Sequence, residues 1–212
     1  MRRNFSHPLI IKYVKVLKKN SNLVAEMLAI PNSYVIEKLT SIENSKDLSD
    51  FLNISRIKYL APGDARNIQI NNCDLTWSYG VLEHIPKQIL ESILIEFFRI
   101  SAKNTIHYHA IGTHDHFNSQ GLGNCVNFLR YSEFKWKLIA GNRFAYHNRL
   151  RRKDYKEMLN NSGFKILNEY SLIQDSDIEI LKTMRIDKKF KNYSIEDLAC
   201  AEFDILIQTE KK

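Results

Sequence analysis

A strand–helix–strand pattern between residues 57 and 117 constrains the fold more than any other feature. Asp74-Leu-Thr-Trp-Ser-Tyr-Gly-Val-Leu-Glu-His-Ile-Pro86 reads as a strand and a sharp turn, and Ile89, Leu90, Ile93, Leu94, Phe97 and Phe98 then recur at helical spacing. A second strand, Thr105 to Ile111, runs into the polar cluster Gly112-Thr-His-Asp-His-Phe117. Two strands of one sheet joined by an amphipathic helix must lie parallel with a right-handed crossover. Ligands of such sheets sit beyond the carboxyl ends of the strands. Ser78 to His84 and His109 to His116 occupy those ends.

The flanks extend this α/β pattern. Leu9, Ile10, Tyr13, Val14 and Leu17 recur at helical spacing. Asn20 or Ser21, and then Asn32 or Ser33, can open two further helices, and Asp47 to Leu52 reads as another short turn of helix. Residues 1–53 are therefore expected to be a helical segment. A first short strand is expected at Ile57–Ala61, stopped by Pro62-Gly63. Residues 118–150 form an aromatic-rich connection with Phe128, Tyr131, Phe134, Trp136, Phe144 and Tyr146. A helix opening at Arg152 or Lys153 ends at Gly163, the expected place for a C-cap glycine. Phe164–Leu172 and Phe203–Gln208 read as strands, with helices at Ile178–Met184 and Ile195–Ala199 between them. Strand, helical excursion and strand suit an antiparallel hairpin closing a mostly parallel sheet, within a single domain over 1–212.

Three cysteines (Cys73, Cys125, Cys200) in no paired spacing argue against a disulfide framework and fit a reducing cytosol. The apolar run after the first residues is broken by Lys12 and Lys15, so neither a signal peptide nor a membrane span is expected. The net charge of +7 favours anionic partners. It speaks to association rather than chemistry, and nucleic acid is not the expected main partner.

Each polar candidate has two readings. Asp64, in Pro62-Gly-Asp-Ala-Arg66, can bind the hydroxyls or amine of a nucleotide or can close its own Asx turn. Gly80 allows close backbone approach; Glu83 and His84 can serve a ligand or brace the strand-to-helix turn. His107 and His109 share one strand face, which raises a metal site. The spacing His-x-His followed by His-Asp-His matches no standard ligand set, so no metal is expected. An acid/base pair, with Asp115 orienting His116 or His109, is preferred. Gly121-Leu-Gly123 lacks the context of a dinucleotide fingerprint. Arg149 and Arg151 share a side of an extended segment and can hold a phosphate or carboxylate, or merely begin a solvated helix.

Taken together, these residues resemble a class I S-adenosylmethionine-dependent methyltransferase. More narrowly, the chain is similar to a bacterial group marked here by Glu83-His-Ile-Pro86, by His109 to Phe117, by Asn127 to Arg130 with Trp136, and by Tyr146 to Arg151. The resemblance implies a Rossmann-like sheet and S-adenosyl-L-methionine as cofactor. Asp64 and Ala65 would meet the adenine end, Ser78, Tyr79 and Gly80 the methionine part, and Glu83–His84 the turn beside it. His109, Asp115 and His116 would act on a small-molecule or carbohydrate-like acceptor, with Tyr146, Arg149 and Arg151 nearby. The family's first strand, its Gly-rich loop and its second strand find no counterpart before Ile57, so the sheet is expected to lack two strands. A second chain supplying them is an expected partner, because the edge of the Leu75 strand would otherwise be unpaired. The alternatives are a non-catalytic remnant or binding subunit completed by a partner and, third, a basic anion- or RNA-binding protein.

Overall fold

A computed structural model describes residues 6–116, 124–140 and 146–211. The chain divides into two compact units at Gly63–Asp64.

The first unit holds four helices, α1 (His7–Lys19), α2 (Ser21–Leu28), α3 (Asn32–Glu43) and α4 (Leu48–Ile54). Val14, Ala25 and Val35 are buried, and His7 Nε2 meets Ser45 Oγ at 2.8 Å. Only α4 has a side-chain cap, the carboxylate of Asp47 accepting from the Asp50 N–H. The suggested caps of α2 and α3 make no such bond. The helical periodicity read from Leu9 to Leu17 is correct, but of those five residues only Val14 is buried. Ile57–Ala61 is not a strand: Ile57, Tyr59 and Leu60 are 49%, 72% and 60% exposed. A strand holds only where a neighbour completes its ladder, and no described strand pairs with it.

The second unit is built on β1 (Cys73–Tyr79), α5 (Lys87–Ile100), β2 (Ser101–Gly112), α6 (Glu133–Ala140), α7 (Arg152–Asn161), β3 (Phe164–Ile173), α8 (Asp175–Thr183), α9 (Ile195–Ala199) and β4 (Cys200–Thr209). The sheet order is β1-β2-β4-β3, with β1 and β2 parallel and the other two pairs antiparallel. This is the mixed α/β sheet expected, a parallel βαβ unit followed by an antiparallel hairpin. The parallel part is a single ladder among the described residues. Gly163 follows α7 with φ +87°, and a Cβ there would lie 2.7 Å from the Phe98 ring, so glycine answers both the cap and the packing.

Two apolar clusters hold the unit. One joins Leu90 and Leu94 of α5 to Tyr155, Met158 and Leu159 of α7 over Phe203, Ile205 and Ile207 of β4. The second gathers Phe128, Leu129 and Trp136 with Leu181, Phe190 and Leu198. Each such side chain contributes roughly 1.5–3 kcal/mol when fully buried. The aromatic-rich connection thus supplies core as well as loop. Gly121–Gly123, Phe117 and Phe144 lie outside the described residues. No helix of the described residues is long and apolar enough to cross a membrane.

Candidate functional site

The turn after β1 is shaped from a distance. Gly80 takes φ +63° and its N–H donates to the Ala110 carbonyl at 3.0 Å, carrying the parallel ladder one step past the strand. Leu82–His84 then forms a 3-10 turn. Asn148, more than sixty residues on, clamps it: Nδ2 donates to the Leu82 and Ile85 carbonyls at 2.9 Å each, and the backbone N–H donates to the Glu83 carbonyl at 2.9 Å. His84 Nδ1 meets the Tyr146 carbonyl at 2.9 Å. A carbonyl can only accept, so Nδ1 donates and Nε2 is the ring nitrogen left to meet another group.

Glu83 is 3% exposed. Its Oε1 accepts the Gly112 N–H at 3.2 Å, while the buried Oε2 has no hydrogen-bond partner. Around the end of β2 stand three further imidazoles. His114 Nδ1 donates to the Ala201 carbonyl at 3.2 Å, and His147 Nε2 to the Gly112 carbonyl at 3.3 Å. The His116 ring lies 4.3, 4.8 and 5.0 Å from those of His147, His114 and His84. Burial, with neighbouring imidazoles, pushes His116 down to about 4 and His147 to about 3. Both are neutral at pH 7. Gly112 sits at the hub: a Cβ would lie 3.1 Å from Glu83 Oε1 and 3.4 Å from both His114 Cε1 and His116 Nε2.

The expected catalytic residues separate. His116 belongs to this cluster. Asp115 is buried, and its N–H donates to the Cys125 carbonyl at 2.8 Å. His109 does not reach a ligand: it is 1% exposed, stacks on Phe97 at 6.0 Å and shares a hydrogen bond with Ser78 Oγ at 2.9 Å. Burial holds it near 4. A ring sealed within the sheet is a packing element, so the expectation of His109 as acid or base is corrected.

Arg149 and Arg151 are also corrected. They are 1% and 0% exposed. Arg149 takes φ +55°, which breaks the extended segment and separates the two side chains. Its guanidinium donates to the Phe128 carbonyl at 3.1 Å, the Tyr131 carbonyl at 2.6 Å and the Glu133 carboxylate, and lies 5.1 Å from the centres of both the Trp136 and Phe190 rings. Arg151 donates to the carbonyls of Thr113 (2.6 Å), Cys200 (2.7 Å) and Asp197 (3.2 Å). Guanidinia enclosed to this degree cannot reach a substrate anion. Tyr146 stays near the cluster through its carbonyl and lines a separate cleft of about 350 Å³ with Trp136 and His147. Cations do line one cleft, of about 760 Å³, through Arg130, Lys135, Arg185, Lys188 and Lys191.

The expected cofactor residues divide as well. Asp64 closes an Asx turn, accepting from the Arg66 N–H at 2.9 Å and from its guanidinium at 2.6 Å, which holds the carboxyl down at about 2. Ala65 shares a groove of about 620 Å³ with Ser78, Tyr79, Trp77, Val81 and Phe97. Across β1 from it, Tyr79, Gly80, Glu83, Gly112 and His114 line a cleft of about 340 Å³. His147 was not anticipated. A lone histidine between a tyrosine and an asparagine carries no sequence signal, and only the clamp of Asn148 brings it to the cluster.

No protein-family model matches the sequence, and no curated protein matches it. Among solved structures the chain is similar to a SAM-dependent methyltransferase from Methanosarcina mazei, at 13% identity over 80% of each chain with a TM-score of 0.45. It is similar to geranyl diphosphate C-methyltransferase from Streptomyces coelicolor, at 12% identity over 74% of this chain and 55% of that one, TM-score 0.44. It is equally similar to the [4+2]-cyclase SpnF, at 13% identity over 76% and 60%, TM-score 0.44.

Proposed function

We propose that the unit from Asp64 onward is a methyltransferase domain that uses S-adenosyl-L-methionine to methylate a small-molecule or carbohydrate-like acceptor. The observation that carries the reading is the convergence of Glu83, His84, His114, His116 and His147 at the carboxyl ends of β1 and β2, where sheets of this kind take ligands. The groove of Ala65, Ser78 and Tyr79 lies along the same strand.

That groove fits the nucleoside half of the cofactor. Its walls are Trp77, Val81 and Phe97, apolar surfaces for a base and ribose, with Ala65, Ser78 and Tyr79 beside them. Asp64 reaches a ribose hydroxyl by exchanging its partner Arg66, a cheap exchange for an exposed ion pair. The lining holds no charged side chain for the amino-acid end. When bound, the cofactor supplies a methyl group made electrophilic by its sulfonium. The chain's own residues position the acceptor: the cleft of Tyr79, Glu83 and His114 holds it, and His116, a neutral imidazole, packs against His114 behind it. An imidazole with a pKa near 4 takes a hydroxyl proton poorly, so placement outweighs proton removal.

Calorimetry of the purified chain with S-adenosyl-L-homocysteine tests this. Saturable binding that weakens in Tyr79→Ala is expected, and no binding at millimolar ligand overturns the reading.

A second reading, a binding subunit completed by a partner's strand, is favoured by β1. It lies at the sheet edge with Leu75, Trp77 and Tyr79 exposed at 56%, 71% and 77%. Open edges invite pairing with another chain. Sedimentation velocity decides: a monomer across the whole concentration range removes this alternative.

A further inference from the structure

Glu83, His84 and His116 each offer a ligand atom, and these three atoms lie within 4.8 Å of one another. They come from two strand ends, the turn after β1 and the loop after β2. Sequence spacing therefore does not reveal them as a set.

Two of the three groups, Glu83 and His84, are held as metal ligands are. A histidine that binds a metal through one nitrogen normally donates the other N–H to a carbonyl or carboxylate, which fixes its tautomer. His84 does this through Tyr146 at 2.9 Å, leaving Nε2 toward the cluster. His114 and His147 do the same through Ala201 and Gly112. Glu83 is held by one oxygen on the Gly112 N–H, and its other oxygen is buried without a donor. A carboxylate oxygen so placed loses hydration with no return unless a cation meets it. His147 Nδ1 is likewise buried and unpartnered, on a ring 4.3 Å from that of His116. Gly112 leaves the space: a Cβ there would crowd Glu83 Oε1 and fill the gap against the rings of His114 and His116.

We propose that Glu83, His84 and His116 bind a divalent first-row transition metal, with His147 or His114 able to complete the set. Two imidazole nitrogens and one carboxylate oxygen suit zinc, cobalt or nickel rather than magnesium or calcium, which prefer all-oxygen cages. Metal–nitrogen bonds of about 2.0–2.1 Å require the ligands to draw in by about an ångström, a small rotation for the exposed His84. With the three protein ligands alone, a coordination position stays open, beside the cleft that Glu83 also lines. If the methyltransferase reading holds, an acceptor hydroxyl bound to the ion would lose its proton more readily. That role rests on the methyltransferase reading; the binding of the ion does not.

The test uses the full chain, stripped with chelator, and the metal alone. Calorimetry with Zn²⁺ and the visible absorption of added Co²⁺ are expected to show one ion per chain with tetrahedral or five-coordinate bands. His84→Ala, at an exposed position that folding tolerates, and His116→Ala are each expected to weaken binding by about a hundredfold or more, since losing even a group that only hydrogen-bonds to a ligand costs about 10–100-fold. Glu83→Gln is expected to do the same, and His7→Ala, in the other unit, to leave binding unchanged. Circular dichroism confirms that each variant is folded. No Co²⁺ band in the parent chain, or affinity retained in both histidine variants, overturns the proposal. Failure to bind S-adenosyl-L-homocysteine leaves it standing, because no cofactor enters the measurement.

Discussion

His107 and His109 on β2 and the four histidines around its carboxyl end are the same side chain put to opposite uses. The strand pair is sealed. His107 is 0% exposed, with its Nδ1 on Thr76 Oγ1 at 2.6 Å and its Nε2 on Thr209 Oγ1 at 2.8 Å. His109 meets Ser78 Oγ, and both rings stack on Phe97. Hydroxyls donate or accept as needed, so these imidazoles are cross-strand struts. At the strand end, His84, His114 and His147 are tied by one nitrogen to backbone carbonyls, which leaves the other to meet another group. What partners a histidine, a hydroxyl on a neighbouring strand or a backbone carbonyl, separates the two sets here.

Four measurements break or sharpen this contrast. The largest effect is expected from Arg151→Ala, which orphans the buried carbonyls of Thr113, Cys200 and Asp197 beneath the end of β2. Chemical denaturation should show a loss of about 3–5 kcal/mol. His109→Ala comes next, at about 2–4 kcal/mol for a buried ring removed from Phe97, with Zn²⁺ affinity unchanged. Lost affinity there would mean that the two sets are one.

Acidification follows. The folded pKa values of His107 and His109, held near 4 by burial, lie below the 6.5 of an ordinary histidine. Below pH 6.5 the unfolded chain takes up protons that the folded chain refuses, so stability falls as pH drops toward 4. Each such histidine contributes about 1.4 kcal/mol per pH unit. Denaturation midpoints measured between pH 7 and pH 4.5 should fall, and fall less steeply in His109→Gln. The smallest effect is expected from His84→Ala: within about 0.5 kcal/mol in stability, as for an exposed position, while metal affinity collapses.

Much of the fold was legible because it is local. The helix Ile195–Ala199 and the crossover helix starting at Lys87 follow from apolar spacing, and β2 and β4 from short runs bounded by polar turns. Ile57–Ala61 misled because alternation can suggest a strand but cannot provide its neighbour. The site was legible only in part. Glu83, His84 and His116 stand in conspicuous motifs, yet their meeting depends on a sheet register that no spacing reveals. Arg149 and Arg151 read as surface cations because nothing in Asn148-Arg-Leu-Arg-Arg152 announces the ring of carbonyls that swallows both guanidinia. Those carbonyls belong to residues 18 to 49 positions away.

Asn148 and Arg151 also set the order in which the chain can assemble. The turn at Leu82–His84 leaves the ribosome long before Asn148, which reaches back across 63 and 66 residues to hold it. Arg151 must in turn wait for Cys200, 49 residues later, before its guanidinium is satisfied. Local helices need no such delay, whereas each of these ties closes a long loop and pays its entropy first. The strand-end cluster is therefore among the last parts of the protein to form. A chain halted during synthesis before β4 would carry every one of its histidines but lack the carbonyls of Cys200 and Ala201 that fix Arg151 and His114.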